Sequence, residues 1–340
     1  MDLSSRFIEP RYYLLSFARL LIDDRELPRH ATVSTGPCHL TFQRQLLLSS
    51  ADASFLQSRD PMTPSSSLSP GSLLNQLRQT TPLVHNITNH VAMTPTANTL
   101  LAIGASPLMA HAQQEIQEIS AISAALSINI GTLSPSWIEA MQLAAMCAHR
   151  DGKPWVLDPV GIGASSLRQY ACRTLLEYRP SVIRANASEV LALAGEMNQG
   201  RGVDSGDDGE DALERASRAA VALARTQNCV VAMTGRVDVV TDGQRQITVQ
   251  GGHALMGRVT AMGCALSSVV AAFLAASLAG HDDTLHATAA ALACYAEAGE
   301  TAGQSAQGPG SFVPRFMDAL YTLDADSTPL ASRLELTDVT

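Results

Sequence analysis

From about residue 80 the chain alternates short apolar runs with longer stretches in which apolar residues recur every three or four positions. The short runs are 126–130 (LSINI), 155–158 (WVLD), 182–184 (VIR) and 229–233 (CVVAM), set off by Gly, Pro or Asn. Apolar runs this short, without a polar alternate face, predict strands buried on both sides. Helical periodicity falls near 94–103, 113–125, 135–149, 166–178 and 211–226. The segment VDVVTDGQRQITVQ predicts a hairpin turning at Asp242-Gly243, and 264–322 reads as mostly helical. This alternation predicts an α/β fold with a mainly parallel central sheet covered by helices. Ligands of such folds bind at the carboxyl ends of the strands, so the residues just after each strand carry the most information.

The pattern is absent near the N-terminus. Residues 1–61 hold four of the seven Phe and two of the six Tyr, with only a short helical stretch at 11–22. Met62 then opens MTPSSSLSPGSLLNQL, a polar approach that runs into a helix. Two readings stand: Met62 is the native start behind an over-extended reading frame, or 1–61 is a genuine extension. The expected organisation is a disordered leader over 1–61, a flexible lead-in over 62–73, one domain over 74–325 and a C-terminal tail over 326–340.

Composition narrows the function. The 23 Lys+Arg against 32 Asp+Glu give a net charge of −9, which argues against a nucleic-acid partner. Lys153 is the only lysine, so a Gly-Lys-Ser/Thr phosphate loop is impossible, and any phosphate must be held by helix starts and arginine. The six cysteines form no Cys-x-x-Cys pair and no zinc spacing with the nine histidines; they read as free thiols of a reducing cytoplasm. No apolar run predicts a membrane span, and no clean signal sequence is present. The fragment Gly161-Ile162-Gly163 falls short of Gly-x-Gly-x-x-Gly, which removes the generic dinucleotide reading.

The strand ends are polar and glycine-rich: Gly131-Thr132, Asp158-Pro159-Val160-Gly161, Arg184-Ala185-Asn186-Ala187-Ser188-Glu189 and Thr234-Gly235. Asp158 and Glu189 suit a divalent cation that also takes substrate phosphates. Each has a plainer reading: Asp158 as a turn former before Pro159, and Glu189 in the first turn of a helix capped by Asn186. The run from Val259 to Ser268 enters a long small-residue helix whose free N–H groups favour an anion. There Cys264 is either a thiol whose thiolate the same field favours or a small buried apolar residue.

Taken together, PLVHNITNHVAMTPTANTLLAIGASPLMAHA, INIGTLSP, VLDPVGIGA, IRANASE, GRGVDS, MTGRVDVVTDG, TAMGCALSSVVAAF and GPGSF resemble, in this order and spacing, hydroxyethylthiazole kinase. The resemblance covers about residues 74–322. It implies a ribokinase-like fold, a three-layer α/β/α sandwich with a mainly parallel central sheet. It implies phosphorylation of the primary alcohol of 4-methyl-5-(2-hydroxyethyl)thiazole by ATP with Mg2+, for thiamine synthesis, in a cytoplasmic homotrimer with interfacial sites. Carried over by position, Met109, Asn89, Val91 and Ala261 approach the thiazole, while Arg184 and Thr234 bind ATP. Asp158 and Glu189 serve the metal, Ala261, Met262, Gly263 and Cys264 form the anion hole, and Cys264 is catalytic.

Several positions depart from the family pattern. Its usual Gly-Thr-Gly-Cys turn is Ala261-Met262-Gly263-Cys264 here, putting a Cβ at a position where φ > 0 is expected. Ala185 replaces a Gly, and Arg236 stands where Glu is commoner; it faces solvent or reaches a phosphate. A kinase of another small alcohol, such as hydroxymethylpyrimidine, and a non-catalytic binding protein are the competing readings. His85, His90 and His111 lack ligand spacing, Trp137 and Trp155 read as core or interface, and Ser311 reads as a cap of the last helix. The acidic run 207–211 reads as a solvated loop or helix start.

Overall fold

The fold is described from a computed structural model, which covers residues 69–195, 210–280, 283–326 and 328–339. The leader 1–61, most of the lead-in, the GRGVDS segment and residues 207–209 of the acidic run lie outside the described residues.

Each anticipated apolar run is a strand whose two faces both enter a core. In chain order the elements begin α1 (Pro70–Thr80), β1 (Leu83–Ile87), α2 (Met93–Ile103), β2 (Ser106–Met109), α3 (Ile116–Ile122) and β3 (Ala125–Asn129). They continue α4 (Pro135–Arg150), β4 (Trp155–Asp158), α5 (Ser166–Leu176), β5 (Val182–Asn186), α6 (Ala187–Leu193), α7 (Glu210–Gln227) and β6 (Val230–Thr234). The hairpin β7 (Asp238–Thr241) and β8 (Arg245–Val249) follows, then α8 (Met262–Gly280), α9 (Thr284–Ser305), α10 (Pro309–Thr322), α11 (Thr328–Ser332) and β9 (Leu334–Asp338).

The nine strands make one sheet in the order β2-β1-β3-β4-β5-β6-β7-β8-β9. Pairing is parallel from β2 through β6 and antiparallel from β6 to β9. Alternate residues of each central strand feed opposite cores. Val156, Val182 and Val230 join the cluster containing residues of α1, α2, α8, α9 and α10. Their neighbours Leu157, Ile183 and Val231 join the cluster built with α4, α5 and α7. Two helical layers thus cover one sheet, the three-layer α/β/α sandwich expected. Because both faces are dry, the central strands need no polar alternation.

Chain order reverses at β1: the chain passes outward to the edge strand β2 and returns to β3 on the other side. Such a reversal opens a crevice at the carboxyl ends of the strands. The central helix α8 starts at that edge and runs back through the core, where Val269, Val270, Ala271, Ala272 and Phe273 are wholly buried. Its small residues allow a helix to be enclosed on all sides.

Three strands escape the hydrophobic pattern. In β1 the buried His85 and Asn86 interrupt the apolar run. In β2, Pro107 is tolerated because the strand lies at the sheet edge. The third, β9, lies in the tail and pairs with β8 from Arg245↔Asp338 to Val249↔Leu334. Arg333 anchors it, its Nε donating to Glu297 (2.8 Å) and its Nη2 to Glu300 (2.7 Å). At the other end α1 starts at Pro70, within the segment expected to be a flexible lead-in, and buries Leu73, Leu74 and Leu77 completely. Ser311 does not cap the last helix. It lies inside the first turn of α10, whose N-cap is Gly308, and its Oγ accepts from Gln307 N at 2.9 Å.

Candidate active site

Four parallel strands end in polar residues along one edge of the sheet: Asn129 on β3, Asp158 on β4, Asn186 on β5 and Thr234 on β6. Parallel register puts Asn129 beside Asp158 and Asn186 beside Thr234. The start of α8 comes down onto this edge.

Asp158 is fully buried. Its Oδ2 accepts from Asn129 Nδ2 (2.7 Å) and Ser267 Oγ (2.8 Å), and Arg184 Nη1 stands 3.9 Å away. Its Oδ1 has no partner. Burial pushes this carboxyl up to about 6; Arg184 opposes the shift and Glu189 adds to it. An orphaned buried carboxylate oxygen is costly unless a ligand uses it.

Glu189 shows the capping arrangement. Its Oε2 accepts from Asn186 N (3.0 Å), while Asn186 Oδ1 accepts from Glu189 N (2.9 Å), a reciprocal capping box at the start of α6. Its Oε1 accepts from Gly161 N at 2.9 Å, tying the loop after β4 to the end of β5. A carboxylate has about four lone-pair sites, so each oxygen keeps room for one further partner. Arg168 fastens the same loops: it donates to the carbonyls of Ile130 (2.8 Å), Val160 (2.6 Å) and Gly131 (2.7 Å). Among the described residues no three His, Cys, Asp or Glu side chains form a metal cluster. Magnesium at phosphates commonly uses only one or two carboxylates.

At the entrance to α8, Ala261 has φ +66°, the left-handed conformation expected of this turn and one that a Cβ resists. The first N–H groups of α8, from Met262 onward, have no partner within the helix. Gly263 packs directly on Arg184, where a Cβ would lie 2.6 Å from Nη1. Arg184 Nη2 also donates to Thr234 Oγ1 at 2.5 Å. Beyond them opens a cavity of about 580 Å3, lined by Arg184, Thr234, Asp238, Met262, Gly263 and Tyr295 among others. Arg236 is exposed on its rim.

Cys264 faces the other side of this turn. Its Sγ accepts from Asn89 Nδ2 at 3.3 Å. Of the two readings of this residue, its partial burial weighs toward the uncharged thiol. Burial and then Asp158 push the thiol above its ordinary value, while Asn89, Asn129 and Arg184 oppose. Asn89 is held through Oδ1, which accepts from Val91 N (3.1 Å) and Ala92 N (3.0 Å). Gly131 leaves room for it, since a Cβ there would lie 2.7 Å from Asn89 Nδ2. Met109 ends β2 in register with Asn86, and Val91 follows Asn89 with 58% exposure. Both lie at the carboxyl edge but are not side-chain members of the hydrogen-bonded network.

Four residues of this region were not singled out in sequence: Asn129, Ser267, Asp238 and Tyr295. For Asn129 a signal existed, because an amide inside a buried strand must be paired. Asp238 accepts from Gly235 N (2.9 Å), and burial pushes it up to about 6. Tyr295 Oη donates to Met262 O at 2.8 Å. The histidines have local roles: His85 pairs with Ala110 O (2.9 Å), while His90 and His111 lie against the Trp137 ring. Trp137 and Trp155 are buried.

Comparison with known proteins adds independent findings. A model of the hydroxyethylthiazole kinase family matches residues 74–326. The hydroxyethylthiazole kinase of Rhizobium johnstonii is 51% identical over 265 residues, covering 78% of this chain and 97% of its own length. That of Cereibacter sphaeroides is 49% identical, covering 78% and 98%. Among solved structures, the hydroxyethylthiazole kinase protein of Pyrococcus horikoshii superposes with a TM-score of 0.70 at 39% identity, covering 80% of this chain and 99% of that one. The pyridoxal kinase of Staphylococcus aureus with AMP-PCP superposes with a TM-score of 0.53 at 16% identity, covering 76% and 99%, a likeness of fold.

Proposed function

The chain belongs to the hydroxyethylthiazole kinase family, and on that premise we propose the activity and residue roles that follow. The enzyme transfers the γ-phosphoryl group of ATP to the primary hydroxyl of 4-methyl-5-(2-hydroxyethyl)thiazole, giving the thiazole phosphate used in thiamine biosynthesis and salvage. The observation that carries the reading is the start of α8 packed on Arg184, with Cys264 on one side and the 580 Å3 cavity on the other. A helix start and a guanidinium together suit an anion held between two substrates.

In this reading the cavity takes ATP, with Arg184 and Thr234 on its phosphates and the N–H groups of the 261–264 turn around the transferring group. Asn89, Val91, Met109 and Ala261 line the thiazole side. Asp158 fits Mg2+ through its unpartnered Oδ1, and Glu189 through its spare lone pairs. Magnesium, when bound with the nucleotide, would neutralise charge on the phosphate oxygens. Phosphoryl transfer passes through a loose transition state, so positioning and charge stabilisation outweigh proton removal. Cys264, held as a thiol by burial, therefore orients the acceptor hydroxyl rather than deprotonating it. The half-exposed edge formed by β2 and Val91 suits a subunit interface, and a homotrimer with interfacial sites is part of the proposal. A cytoplasmic location belongs to it as well; among the described residues no helix is long and apolar enough to cross a membrane.

Cys264→Ala separates the two roles of the thiol. An orienting role predicts a kcat loss of about 10-fold that is uniform across pH. A loss of several thousand-fold confined to the alkaline side would instead make Cys264 the base.

A further inference from the structure

Asn129 sits where the acceptor side of the site meets the phosphate side, and we infer that it is the positioning residue that locks the two together. The inference rests on the kinase reading above. Asn129 is almost wholly buried, and its amide is held at both its oxygen and its nitrogen. Oδ1 accepts from Asn89 Nδ2 (2.9 Å) and from Gly131 N (2.9 Å), and Nδ2 donates to Asp158 Oδ2 (2.7 Å). The backbone N–H of Gly131 fixes the amide orientation, because a flipped amide would face it with its own NH2. Nδ2 is thereby obliged to face Asp158.

Two consequences follow, one on each side. Asn89 has its Oδ1 taken by the N–H groups of Val91 and Ala92, so its NH2 must find acceptors. Asn129 Oδ1 takes one hydrogen and Cys264 Sγ the other, which sets the thiol beside the acceptor. On the opposite side, Asn129 and Ser267 together occupy Asp158 Oδ2. That choice leaves Oδ1 as the oxygen without a protein partner. Asn129 thus decides which carboxylate oxygen is offered to the phosphates and their cation. Among the described hydrogen bonds it is the one side chain that joins Asn89 to Asp158.

The test compares two substitutions that divide these functions. Asn129→Asp keeps both acceptor bonds, to Asn89 and Gly131, but replaces the donor to Asp158 by a second carboxylate oxygen. Asn129→Ala removes all three bonds. Calorimetry with hydroxyethylthiazole, ADP-release kinetics and a thermal melt are run on both variants and the wild type. The expected result for N129D is a thiazole Kd within about 3-fold of wild type with kcat reduced about 100-fold. For N129A the thiazole Kd also rises, about 10-fold. If N129A does not fold, Asn129→Ser takes its place. Wild-type kcat in N129D overturns the inference, as does a parallel loss of binding and turnover in both variants. Failure of the kinase reading is distinguishable, since the wild type itself would then not turn over the thiazole, whether or not it binds it.

Discussion

Ala261 carries a left-handed backbone at the point where α8 meets the proposed transferring group. For a residue with a Cβ this costs roughly 1–2 kcal/mol, while glycine in its place would cost about 0.5–1 kcal/mol through the unfolded chain. Ala261→Gly is therefore expected to raise stability by up to about 1 kcal/mol, read as a higher thermal midpoint; a clear drop would show that the methyl packs usefully. This strain was legible in the sequence, because an alanine stood at a family glycine. Asp238 offers a second test at this scale. Its folded pKa is raised from 3.8 to about 6, so ionisation is penalised only in the folded state. The penalty is absent well below pH 3.8, grows as pH rises past it and is complete above about 6. Asp238→Asn keeps an acceptor for Gly235 N and removes the penalty. The variant should exceed the wild type in stability by up to about 3 kcal/mol at pH 7.5 and match it at about pH 3; denaturant melts at the two pH values check this, and an equal gain at both would contradict it. Glu189 was only half legible. The spacing Asn186-x-x-Glu189 announced a cap, but nothing in it disclosed the third bond, to Gly161 N.

Among the elements, the wall of the proposed nucleotide cavity depends on close packing against α9. His253 accepts from Leu255 N (3.2 Å) to start the short 3-10 turn Ala254–Arg258, whose residues line the cavity. The His253 ring lies on Gly303, where a Cβ would meet its Cγ at 2.2 Å, and the Met256 sulfur lies on Gly299, at 2.4 Å from a Cβ there. Gly303→Ala must push His253 and the turn away, an overpacking cost of about 1–3 kcal/mol. The expected kinetic result is a KM for ATP raised several-fold with the KM for the thiazole unchanged; equal changes in both would place the wall elsewhere. Element types were legible wherever packing alone chose the residues, as in β4, whose boundaries Trp155–Asp158 follow the apolar run. They were hidden where function or position placed polar residues inside a strand. His85 and Asn86 in β1 and Pro107 in β2 broke the pattern on the side of the sheet that carries Asn89 and Met109.

For the molecule as a whole, the parallel part of the sheet presents chemistry and the antiparallel part extends the wall beside it. In the proposed reading a chain with a single lysine holds its phosphate side with Arg184 and the start of α8, which the sandwich brings together from β5 and from a helix 78 residues further along. The architecture was legible because strand runs and helical periods alternate along the chain. The joining of Asn129, Asp158, Ser267 and Cys264 was not, because it depends on the register of β3 against β4 and on the rotation of α8. The central claim is that this site phosphorylates a thiazole alcohol. The most direct test is a coupled ADP-release assay on the wild type with Mg2+, comparing hydroxyethylthiazole, hydroxymethylpyrimidine and pyridoxal, with the product identified by mass spectrometry. The account predicts one ADP and one thiazole phosphate per turnover, with little release for the other alcohols. Folded protein that binds the thiazole without releasing ADP, or that prefers another alcohol, would contradict it.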